Sequence, residues 1–183
     1  LASSWMDRGE FAEAISAFQK AISLGAGDVE SMKRLSSCYF GIEDYGNAIR
    51  VIKDVLQGNP SDHEMLASMG AAQIEIKEIG GAIETLAKAA AIAPDHFPTA
   101  YHYGRALRLS GDTTAALRWL RRATSSDPRN PVAWRDLADA SLESGDTENA
   151  KVAIDRAIAL EPNAQSIRAL NERINGPSPA AGD

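Results

Sequence analysis

Pro60, Pro94, Pro128 and Pro162 return at steps of 34 residues, and the same step links Ala14, Ala48, Ala82, Ala116 and Ala150 without one insertion or deletion. A fixed period of this length constrains a chain more than its composition does. Each copy must be one supersecondary unit that buries its apolar face against the units beside it. The tetrapeptide Ser-Gly-Asp-Thr keeps the same phase, at Ser110–Thr113 and again at Ser144–Thr147. The complete periods are Val29–Asp62, His63–His96, Phe97–Asn130 and Pro131–Ala164, and Leu1–Asp28 is a partial period lacking its first six residues.

Each period reads as two helices. In the last copy Trp134, Leu137, Ala138 and Ser141 recur at helical spacing, and so do Ala150, Ile154, Ala157 and Ile158 after the turn. In that turn Gly tolerates the backbone and Asp caps the helix that follows. The proline near the end of the period prevents the second helix from running on. An alanine fixed near the start of each second helix predicts a close helix crossing with no room for a larger side chain.

The pattern resembles the tetratricopeptide repeat family, whose unit is also a 34-residue helix–turn–helix. Trp134, Leu137, Ala138, Gly145, Ala150, Ala157 and Pro162 carry the likeness in the last copy, and Tyr103, Gly104, Gly111, Ala116, Ala123 and Pro128 in the copy before. It extends over Leu1–Ala164. It implies an all-α, right-handed α-solenoid of about five repeats, the first truncated, that binds proteins or peptides without catalysis. Two copies depart from it. The third period has Lys77–Ala82, "KEIGGA", at the turn, with Gly80 and Gly81 displaced into the second helix, which predicts a soft hairpin. The first has Ala26 where proline is expected.

After Ala164 the sequence QSIRALNERIN keeps Ile167, Leu170 and Ile174 on one stripe, which predicts a capping helix over 165–175. Gly176–Asp183 is a Pro/Gly/Ala tail with no core of its own, expected to be disordered.

Little in the chain reads as chemistry. The single cysteine, Cys38, excludes an internal disulfide and a cysteine-based zinc site, and reads as a small buried residue. His63, His96 and His102 show no metal-ligand spacing, so neither a metal nor a cofactor is expected. Gly25–Asp28 lacks the next glycine of a dinucleotide loop and reads as a connection between hairpins. Trp5 and Trp134 read as core, and Trp119 as packing against the next hairpin. No run of apolar residues is long enough to span a membrane, and no signal peptide is visible. Net charge is −6, which argues against nucleic acid as a partner. The compartment is left open, since one cysteine suits cytosol and periplasm alike.

Charge by period is more informative than the total. The fourth period carries +4 and the fifth −4. By resemblance, the arc of each first helix opposite its buried stripe lines a groove for a peptide. That arc holds Lys33, Arg34 and Phe40 in the second period, and Ala67, Ala71 and Ile74 in the third. In the fourth it holds Tyr101, His102, Arg105 and Arg108, and in the fifth Arg135, Asp136, Asp139 and Glu143. The family's clamp for chaperone carboxylates is not matched, because Ser37, Ser68, Pro98 and His102 stand at its positions. Arginines beside aromatics suit carboxylates. The candidate peptide-binding residues are therefore Lys33, Arg34, Tyr101, His102, Arg105, Arg108 and Arg135, with an acidic segment as ligand. The plainer alternative pairs these arginines with acids of the neighbouring periods. A scaffold or adaptor is expected. A substrate-recruiting domain of a larger enzyme and a self-assembling unit are the alternatives, and the start partway through a helix suggests a module of a longer protein.

Overall fold

A computed structural model describes Ala2, Trp5 and residues 9–176 of the chain, so the tail beyond Gly176 lies outside the described residues. Among them the structure is all-α. The helices are α1 (Phe11–Ser23), α2 (Val29–Gly41), α3 (Tyr45–Gly58), α4 (His63–Glu75), α5 (Ile79–Ile92), α6 (Phe97–Leu109), α7 (Thr113–Ser126), α8 (Pro131–Glu143), α9 (Thr147–Leu160) and α10 (Gln165–Asn175). From α2 onward every first helix begins 34 residues after the last. The chain forms two compact units, Leu1–Ala93 and Pro94–Asp183.

The turn inside each hairpin is one joint, repeated. After α6, the Gly111 amide donates to the Arg108 carbonyl and the Asp112 amide to the Leu107 carbonyl. Gly145 and Asp146 repeat this on Leu142 and Ser141. This 5→2, 6→1 pair closes a helix on a residue in the left-handed region. Gly111 and Gly145 adopt φ of 90° and 80° there. The second and third periods build the same joint without glycine, forcing Glu43 to φ 59° and Lys77 to φ 64°. The next residue then opens the following helix: Asp44, Asp112 and Asp146 each accept the amide three residues on. Glu78 stands at that place before α5 and makes no side-chain cap.

The phased alanines are fully enclosed: Ala14, Ala48, Ala82, Ala116 and Ala150 are all 0% exposed. Each helix packs on the next within its unit. In residues 94–183 the core gathers Leu120, Leu137, Ile154, Ile167 and Leu170, with Trp134 against it. In residues 1–93, Ile15, Phe18, Leu35 and Tyr39 form one cluster with Trp5 at its edge, and Ile52, Val55 and Met65 another. Cys38 is fully buried, and burial pushes its thiol pKa up. Trp119 packs within its own hairpin. It lies against Tyr103, ring centroids 4.9 Å apart, with the Arg122 guanidinium 5.4 Å from its ring centroid.

Candidate functional site

Helical spacing aligns Tyr101, Arg105 and Arg108 along α6, one turn apart, and Asp136, Asp139 and Glu143 along α8. Both helices belong to the second unit, where α6 touches α8 directly. Opposite charges therefore meet across the hairpins. Arg108 Nη1 donates to Asp139 Oδ2 at 2.9 Å and to Glu143 Oε1 at 2.7 Å. Arg173, from α10, reaches the other Asp139 oxygen at 3.2 Å.

Asp136 is the centre of a second knot and is only 3% exposed. A carboxylate so placed needs its lone pairs occupied. Arg135 Nε and Nη2 donate to Oδ1 at 2.9 and 2.6 Å. The Tyr101 hydroxyl donates to Oδ2 at 2.9 Å, and Arg105 Nε lies 3.9 Å from the same oxygen. Arg105 also lies over the Tyr101 ring, 5.8 Å from its centroid, and Phe97 stacks on that ring with centroids 5.5 Å apart. Burial, reinforced by the Asp136 charge, pushes the Tyr101 pKa up and keeps the phenol a donor. Burial and then Arg105 push His102 down to about 4, so its imidazole is neutral at physiological pH. Its Nδ1 is buried with no hydrogen-bond partner among the described residues.

Of the sequence-derived candidates, the structure thus brings Tyr101, His102, Arg105, Arg108 and Arg135 onto α6 and α8. Lys33 and Arg34 are in the other unit. Lys33 donates to Asp62 at 2.7 Å, a hydrogen bond that raises its pKa, and Arg34 pairs with Glu30 at 2.9 Å one turn away. Several residues placed on the open arc are not open. Asp136 is enclosed by the knot just described, while Ala67, Ala71 and Ile74 are 1%, 8% and 5% exposed. A wheel drawn for one helix misses burial by neighbours on more than one side.

Ser166 and Arg173 of α10 were not among the candidates. The signal for Arg173 lay in the period itself: Arg105, Asp139 and Arg173 hold one position in successive copies, with alternating sign. Arg108, Arg135, Asp139, Ser166, Leu170 and Arg173 line a pocket of about 240 Å³. Arg105, Arg108, Arg135 and Arg173 against Asp136, Asp139 and Glu143 leave this face at +1, and Arg108 Nε is buried with no acceptor among the described residues. Such a rim suits a carboxylate, which a guanidinium meets with two parallel hydrogen bonds.

Two family models match, each a tetratricopeptide repeat: one over residues 107–174, the other over 1–63 and 81–131. No curated protein sequence matches the chain. Among solved structures it is similar to MamA 41-end from Desulfovibrio magneticus RS-1, with 20% identity and a TM-score of 0.77 over 90% of this chain and 93% of that one. YrrB, described as a TPR protein with an unusual peptide-binding site, is 18% identical, with a TM-score of 0.72 over 93% and 88%. TTC0263, a thermophilic TPR protein of Thermus thermophilus, is 17% identical, with a TM-score of 0.75 over 95% of each chain. At these identities the likeness is one of fold, an all-α helical-repeat solenoid. With matching family models covering most of its length and the 34-residue joint repeated in its helices, the chain belongs to the tetratricopeptide repeat family.

Proposed function

We propose that this chain is a non-catalytic protein-binding scaffold whose α6–α8–α10 face holds an acidic segment of a partner protein. The observation that carries the reading is the pocket rimmed by Arg108, Arg135 and Arg173, in which Arg108 keeps a buried Nε without an acceptor among the described residues. Glu143, 40% exposed, is the internal acid that a ligand carboxylate displaces most readily, whereas Asp136 is locked beneath. Lys33 and Arg34 drop out of the proposed site, since their charges meet Asp62 and Glu30. The peptide-binding site named for YrrB is consistent with a repeat of this kind serving as a peptide platform.

The test must spare the internal knots. Reversing Arg105 or Arg108 would set a second carboxylate against Asp136 or Asp139, so Arg173, 61% exposed, is the better probe. Titration with a fluorescein-labelled hexaglutamate peptide, followed by anisotropy, should give saturable binding that weakens as salt rises. Arg173→Ala should weaken it about tenfold, the value of one charge-assisted hydrogen bond, and Arg129→Ala, an exposed loop arginine, should leave it unchanged. Equal affinity in wild type and Arg173→Ala would reject the reading.

A further inference from the structure

The other side of α8 carries a second feature, independent of the arginine face. Between α7 and α9, with α8 as floor, lies a cleft of about 340 Å³ whose walls include Arg121, Trp134, Leu137, Ser141, Val152 and Ala153. The chain supplies its own comparison one period earlier, where Tyr103, Leu107 and Trp119 occupy the positions of Leu137, Ser141 and Ala153. There the Tyr103 and Trp119 rings pack together at 4.9 Å. In the fifth period the indole is replaced by a methyl group and the leucine by a hydroxymethyl, and room for an aromatic ring is left open.

The polar groups of the cleft narrow the occupant. Trp134 Nε1 donates to the Pro128 carbonyl, the Thr124 and Ser125 hydroxyls both donate to the Arg121 carbonyl, and Asn149 Nδ2 donates to Asp146. Ser141 differs. It is 1% exposed, and its Oγ has no hydrogen-bond partner among the described residues. A hydroxyl buried in that state is costly unless a ligand completes it, and it both donates and accepts. At the rim the Arg121 guanidinium is exposed, and its charge helps to lower the pKa of Asp146.

We propose that this cleft docks a tyrosine side chain from an acidic stretch of a partner protein. The ring lies along Trp134 and Leu137, the phenol exchanges a hydrogen bond with Ser141 Oγ, and a neighbouring carboxylate meets Arg121. An aliphatic anchor would fill the space and leave the Ser141 hydroxyl unpaired, so the phenol is the better fit.

The experiment is a nitrogen-15 NMR titration of the full chain with acetyl-Glu-Tyr-Glu-amide and, separately, acetyl-Glu-Phe-Glu-amide. The tyrosine peptide should shift the Ser141 and Ala153 amides and the Trp134 indole saturably, with the phenylalanine peptide about tenfold weaker. Ser141→Leu, which restores the residue of the preceding period, should abolish the shifts, with circular dichroism confirming the fold. Ser141→Ala, too small a change to disturb folding, should bring the two peptides to equal affinity, and Arg121→Gln should weaken both. No saturable shift at the cleft in wild type, equal affinity for the two peptides in wild type, or shifts persisting in Ser141→Leu would each overturn the proposal. None of these outcomes depends on the Arg173 face.

Discussion

Gly104 and Leu120 show how closely paired helices constrain single residues. A Cβ built on Gly104 would lie 2.8 Å from Leu120 Cγ and 3.1 Å from its backbone nitrogen, so α6 and α7 touch where glycine stands. Gly70 meets Leu86 in the same way one period earlier. Where the first-helix residue has a side chain, as at Ser36 and Ala138, the position that Leu120 fills is taken by Ile52 and Ile154. A Cβ on one helix thus accompanies a branch moved closer to the backbone on the other. Gly104→Ala should cost about 1–3 kcal/mol by overpacking, measured by urea unfolding. Adding Leu120→Ile should recover part of that loss, a coupling read from the double-mutant cycle. Additive losses would show that the two residues do not share this constraint. The pairing was legible in sequence as a covariation inside the chain. The burial of Asp136 was not, because it depends on Tyr101, 35 positions away, and on Arg105 beside it.

At the scale of the element, the hairpin joint combines a helix end and a helix start in two successive residues. The left-handed position suits glycine, and a side chain there costs roughly 1 kcal/mol. Lys77 occupies it at φ 64°, and Glu78 after it makes no cap. Lys77→Gly and Glu78→Asp should therefore each raise stability by about 1 kcal/mol, with an increase in the melting temperature. Both residues are exposed, so no packing change competes with the gain. A lower melting temperature in either variant would contradict this account of the joint. The helix boundaries were readable from the Ser-Gly-Asp-Thr copies and the phased prolines. Helix sides were harder: in α4 residues 65–67 and 70–74 are all buried, so the stripe seen from one helix alone is too narrow.

Across the whole molecule, a net charge of −6 conceals a local balance, in which the +4 and −4 periods largely neutralise one another. Arg108 with Asp139 and Glu143, and Arg105 with Asp136, are built from this opposition. Asp136→Ala should be the most damaging single change on the face, at about 3–5 kcal/mol, because it strands Arg135 and the Tyr101 hydroxyl. Calorimetry of wild type and variant checks it, and a loss under about 1 kcal/mol would mean that water completes those donors. Period charges could be counted from the sequence, but which acid met which arginine required the offset between neighbouring helices.

The alternation of Arg105, Asp139 and Arg173 also gives the hairpins an order. Their backbones share one joint and one period, yet their surfaces are not interchangeable. If Phe97–Asn130 were duplicated in tandem, the second copy would set its Arg105 where Asp139 now receives Arg108, and its His102 where Asp136 now receives Arg135. Cation would face cation, and Tyr101 would lose its carboxylate. Lengthening the chain by a copy of this hairpin therefore requires the signs to be rewritten along with it.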